Sequence, residues 1–156
     1  MKQASHFILY VADQQRSADF YTTALQQSPR LHVPGMTEYD LPGGGVLGLM
    51  PEEGIRRLLG PQLPDPAAAN GIPRAELYLV VPDASASLKR AIAAGARELS
   101  AVQERAWGHH AGYVHDPDGH VERRQHLLEQ RLHRRRRAGE RDGLAGGQHR
   151  PVRRRH

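Results

Sequence analysis

The sequence predicts an α+β protein made of two tandem β-α-β-β-β units, and three observations carry that prediction. His6–Asp13 and Glu76–Asp83 are both short apolar-rich runs that close on an aspartate and lead into a helical pattern. At an offset of 70 residues Leu9 meets Leu79, Val11 meets Val81, Asp13 meets Asp83, Ser17 meets Ser87 and Ala24 meets Ala94, as expected of one unit used twice. Strand and helix signals then alternate up to residue 121, and two such half-domains would share one core because neither buries enough surface alone.

The first strand spans His6–Ala12. Alternation puts Phe7, Leu9 and Val11 on one face and His6, Ile8 and Tyr10 on the other. Asp13 is placed to cap a helix over about 16–25, which presents Ala18, Tyr21 and Leu25 on one side and ends before Ser28-Pro29. Short strands follow at Leu31–Val33, Met36–Leu41 and Val46–Met50, separated by Pro34-Gly35 and by Pro42 to Gly45. The glycine run 43–45 reads as a strand connection, since no helix start or Lys-Ser/Thr pair follows it to hold a phosphate.

Residues 51–74, with five prolines and a helical turn at Ile55–Leu59, form the linker between copies. The second unit opens with the strand Glu76–Val81, whose faces carry Leu77, Leu79 and Val81 against Glu76 and Tyr78. A helix over about 84–94 gathers Leu88, Ala91 and Ile92 on one face, with Gly95 placed to end it. Strands are expected at Arg97–Val102, at Gly112–His115 and from His120 onward. Between the last two, Asp116-Pro-Asp-Gly119 has the residues of a type I turn.

Composition removes several function classes. With no cysteine, disulfides, thiolate catalysis and zinc-thiolate sites are excluded. No apolar run of roughly eighteen residues and no secretory leader are present, so the expected setting is cytoplasmic, without membrane contact. The net charge of +5 hides two unlike blocks: residues 1–121 carry ten basic and thirteen acidic side chains, and residues 122–156 carry twelve arginines and four acids.

The run from His6 to Tyr21, the second copy, and Gly112-Tyr-Val-His-Asp-Pro-Asp-Gly-His-Val121 together resemble the vicinal oxygen chelate superfamily of glyoxalases, bleomycin resistance proteins and extradiol dioxygenases, over about residues 5–121. The resemblance implies two βαβββ modules whose curved mixed sheets surround a cavity, usually in a homodimer. In the enzymes of that superfamily it also implies a divalent metal (Ni, Zn, Mn or Fe) held by one residue from each of four strands. Carried over by position, His6 and Glu76 fall on two of the metal-ligand positions. The fourth-strand position falls on Gly48 and the last-strand glutamate on Arg123, so half the chelate set is missing. Glu122 lies one residue early, which turns its side chain to the other face of a strand. His109 and His110 are capable ligands near the seventh strand, at a spacing that matches no known chelate.

After Val121 the expected apolar alternation gives way to Glu-Arg-Arg-Gln-His and then to an Arg-, Gly- and His-rich stretch, so the last strand is expected to be disrupted. The 122–156 tail is read as disordered or partly helical, with Leu127, Leu128 and Leu132 on a short basic helix over about 122–137 that would make only unspecific, salt-sensitive nucleic-acid contacts. Its composition is also that of a GC-rich gene read out of frame.

Two classes of function follow. One is a metal-dependent lyase or dioxygenase of the glyoxalase type, with His6 and Glu76 as metal ligands or Glu76 as a catalytic base. The other is a metal-free protein that sequesters an aromatic or cationic drug or metabolite between the modules with Tyr10, Tyr78, Trp107 and Glu76, a resistance-protein role. A nucleic-acid accessory role for the tail is a third. Taken one at a time, His6 and Glu76 read better as solvated polar groups, and it is their recurrence on matched faces that points to a small-molecule site.

Overall fold

The computed structural model describes residues 4–126. The elements run β1 (His6–Val11), α1 (Gln14–Leu25), β2 (Leu31–Val33), β3 (Met36–Asp40), β4 (Val46–Pro51), α2 (Glu52–Leu59), β5 (Glu76–Val80), α3 (Ala84–Ala93), β6 (Arg97–Glu104), β7 (His110–His115) and β8 (Val121–His126), with two short 3₁₀ turns between α2 and β5. They form two four-stranded sheets, ordered β1-β4-β3-β2 and β5-β8-β7-β6. Each sheet is mixed, because the first strand of each module pairs in parallel with its last and the other pairs are antiparallel. The sheets remain separate and open, and the α+β architecture of two βαβββ modules is present in full.

Both helices start the same way. Asp13 and Asp83 have extended backbone at φ −133° and −136°, and their side chains accept from the amides of Arg16 and Ala86 at 2.9 Å, satisfying donors that the first helical turn leaves free. Gly95, at φ +113°, ends α3 in a left-handed conformation that glycine adopts without Cβ strain.

One apolar core serves both modules. Leu9, Val11, Phe20, Tyr21, Tyr39, Leu47 and Leu49 of the first pack in the same cluster as Leu77, Leu88, Ala91 and Val114 of the second. The helices α1 and α3 touch across it, so each sheet covers the helices with one face and leaves its other face open.

The expected disruption of the last strand is corrected. β8 is formed over six residues and is hydrogen-bonded on both edges, to β5 and to β7. Ladder bonds come from the backbone and need no apolar side chain, and the two charges that β8 turns inward, Glu122 and Arg124, pair with each other. The residues 122–126 placed at the start of a basic helix therefore belong to the sheet. The rest of that helix, with Leu127, Leu128 and Leu132, lies outside the described residues.

Candidate functional site

The open face of the second sheet is built from alternate residues of β5 and β8. Because Leu77 turns toward the core, Glu76, Tyr78 and Val80 turn away from it, and the register sets Tyr78 beside Arg123 and Val80 beside Gln125. The Arg123 guanidinium lies 3.6 Å from the Tyr78 ring centroid, and its Nη2 forms an ion pair with Glu76 Oε1 at 2.6 Å. Its buried Nε has no partner among the described residues. Stacked on one side and tethered on another, this cation is held in place with a donor to spare. Trp107 sits on the same face, donating from Nε1 to Gln125 Oε1 at 3.2 Å while half of it stays exposed.

The first sheet has a matching face. His6 Nδ1 lies 3.5 Å from Glu38 Oε1, and Arg30 Nε lies 3.5 Å from the other oxygen of that carboxylate. Ile8 and Tyr10 follow His6 along β1, with Gly48 directly beside Ile8. A Cβ on Gly48 would collide with Ile8 Cδ1 and stand 3.3 Å from Met36 Sδ. Ile8 thus fills the space that a side chain at position 48 would take.

Sequence reasoning put His6, Glu76, Tyr10, Tyr78 and Trp107 at one site. The structure groups them by sheet: Glu76, Tyr78 and Trp107 share the open face of the second, His6 and Tyr10 that of the first. Among the described residues no hydrogen bond or ion pair joins His6 to Glu76. The residues present do not fit a four-strand chelate, because Gly48 offers no donor atom and Arg123 places a positive charge where a carboxylate would bind a cation.

A second set of polar groups lies on the helix side. The turn after β7 is the expected tight turn, with Asp116 Oδ1 accepting from the amides of Asp118 at 2.9 Å and His120 at 2.8 Å. It also clamps the two modules together. Asp116 Oδ2 accepts from the Tyr21 hydroxyl at 2.7 Å and contacts His120 Nδ1 at 2.8 Å. Asp118 accepts from the Ala12 amide at 3.0 Å, from Arg16 Nη2 at 3.2 Å and from Ser17 Oγ at 3.0 Å. Asp116, Asp118 and His120 bring three donor atoms within 4.8 Å of one another, near enough to hold a metal. Every carboxylate oxygen of the group already accepts a hydrogen bond, which makes it a clamp first.

Burial and neighbours set the charge states here. Burial pushes Tyr21 well above the usual phenol range, and Glu122 and Asp116 add to it. Burial raises the Asp116 carboxyl, yet the His120 hydrogen bond and charge with the Tyr21 hydroxyl pull it below the ordinary carboxylate value. His120 is lowered by burial and raised further by Asp116, Asp118 and Glu122, ending above the ordinary imidazole value. Burial raises Glu122 against the pull of Arg124.

Residues 6–122 match the family model of the glyoxalase-like domain. The chain belongs to the glyoxalase-like domain family. With it comes the vicinal oxygen chelate superfamily. A glyoxalase-related enzyme from Fulvimarina pelagi superposes with a TM-score of 0.68 at 24% identity, over 81% of this chain and 89% of that one. A glyoxalase/bleomycin resistance protein/dioxygenase family enzyme from Burkholderia phytofirmans gives 0.68 at 20%, over 80% and 98%. At those identities the likeness is one of fold. An uncharacterized protein of Mycobacterium tuberculosis is 29% identical over 121 residues, 72% of this chain and 67% of that protein.

Spacing alone could not reveal Arg123 as a site residue in this glyoxalase-like domain. Its position depends on the β5–β8 register, which sets it beside Tyr78. The signal was the arginine standing at the last-strand glutamate position.

Proposed function

We propose that this glyoxalase-like protein binds a small oxygen-bearing aromatic molecule on its open sheet faces without using a divalent metal. The Arg123–Glu76 pair stacked on Tyr78 carries this reading. The fixed guanidinium's Nη1, which makes no hydrogen bond or ion pair among the described residues, is a donor for a carbonyl or carboxylate oxygen, and Tyr78 and Trp107 offer flat surfaces for a ring. A tethered cation at that position also opposes entry of a second one.

The faces are completed by a second copy of the chain in this reading. Leu31, Val33, Tyr78, Val80 and Trp107 stand exposed on them, and apolar side chains gathered on an open face suit covering by a partner surface. Covering them with another copy's faces would close a cavity around the ligand. Lyase or dioxygenase chemistry would need a metal-ligand set that Gly48 and Arg123 do not supply.

Trp107 is the only tryptophan and reports on this face. Titration of 4-phenylbutyrate should quench its fluorescence saturably, with the same midpoint in excess EDTA, and Arg123→Ala should weaken binding at least tenfold. Quenching that requires an added divalent metal, or that survives Arg123→Ala unchanged, would overturn the reading.

A further inference from the structure

A different concavity lies along the outer edge of β1. In its sheet β1 pairs only with β4, and the linker before β5 passes near its other side. The linker is held by a close backbone contact: a Cβ on Gly119 would fall 2.9 Å from both Cα and O of Gly71. Gly119 belongs to the turn that clamps the modules, so linker, turn and β1 keep a fixed spacing. With the first turn of α2 they enclose about 570 Å³, within the usual range for small-molecule sites.

The lining is chemically divided. Phe7, Leu63 and Ile72 supply apolar surface, and Ile72 is 71% exposed although its neighbours offer a concave shelter. The charged groups on the wall are Glu52, Asp118, His120 and Arg74. Asp118 is satisfied by Arg16, Ser17 and Ala12, His120 is tied to Asp116, and Arg74 is exposed. Glu52 is the exception: it is partly buried and has no hydrogen bond or ion pair among the described residues. Burial raises its carboxyl, and Asp118 and Asp65 raise it further, so a positive charge beside it would be welcome.

We infer that this cleft binds an organic amine, with a compact apolar body against Phe7, Leu63 and Ile72 and its ammonium on the Glu52 carboxylate. The cleft includes none of Glu76, Tyr78, Trp107 and Arg123, so this site and the open-face site stand or fall separately. An anion would meet the uncompensated Glu52, and an uncharged molecule would leave it unpaired.

The test is an amide-resolved NMR titration of the full chain with 4-phenylbutylamine, and with 4-phenylbutanol and 4-phenylbutyrate for comparison. The amine should give saturable shifts at Glu52, along 63–75 and at 118–120, and should bind at least tenfold tighter than the alcohol. Glu52→Gln should remove that preference, bringing the amine to within about twofold of the alcohol. Ile72→Ser, at an exposed position, should weaken amine and alcohol alike. Equal affinity for amine and alcohol in the wild type, shifts confined to the Tyr78 and Arg123 face, or an amine preference that survives Glu52→Gln would each overturn the inference.

Discussion

Arg124 and Glu122 have no exposed surface at all, and each has one polar atom without a partner among the described residues. Two charges taken out of water lose hydration that their mutual attraction barely offsets, while removing one of them strands the other. Arg124→Leu should therefore destabilise the protein by about 3–5 kcal/mol, whereas the Glu122→Leu/Arg124→Leu double variant should be neutral or more stable by about 1–4 kcal/mol. Urea denaturation of the three proteins measures both numbers. The same neighbourhood sets a pH dependence. His120 and Glu122 are raised in the folded protein, so their contributions are complete below their unfolded values, about 6.5 and 4.3, and fade as the pH climbs through the folded ones. Asp116 is lowered, and its contribution is complete above about 3.9 and fades only in stronger acid. The melting temperature should accordingly fall from about pH 5 to pH 8, and His120→Asn should flatten that fall. A wild-type melting temperature that rises over this interval would contradict the assignment.

At the level of elements, what could be read in advance was what is local. The strands β1 and β5 announce themselves by alternation, and α1 and α3 by an aspartate cap whose hydrogen bond spans only three residues. Asp116-Pro-Asp-Gly119 was legible as a turn for the same reason. Its grip on Ala12, Arg16, Ser17 and Tyr21 was not, because those partners lie about a hundred residues away in sequence. The sequence of β8 disguises a strand, since its inward positions hold Glu122 and Arg124 where apolar residues are expected, and only pairing with β5 and β7 identifies it as one. Packing between elements gives a direct check. A Cβ on Gly112 of β7 would lie 2.8 Å from Val102 Cγ2 and 2.9 Å from Leu88 Cδ2. Gly112→Ala should cost about 1–3 kcal/mol by wedging α3 and β6 off the sheet, read as a lower urea midpoint with an unchanged slope.

For the whole molecule, the shared core and the clamp make the two modules one folding unit within the described residues, which reach His126. A chain ending at His126 should melt within about 2 °C of the full-length protein, since β8 has both its partners by then. A much lower melting temperature would mean that residues 127–156 contribute to the fold. In the proposed reading the open faces hold half of a chelate at most: His6 and Glu76 stand at matched positions of β1 and β5, while Gly48 and Arg123 supply no ligand beside them. Metal-dependent melting of the freshly purified protein tests that claim most directly. With Ni²⁺, Mn²⁺, Fe²⁺ or Zn²⁺ at about a hundredfold over protein the melting temperature should stay where EDTA leaves it, because a ligand stabilises only by binding the native state. A rise of several degrees that disappears in His6→Ala would contradict the account.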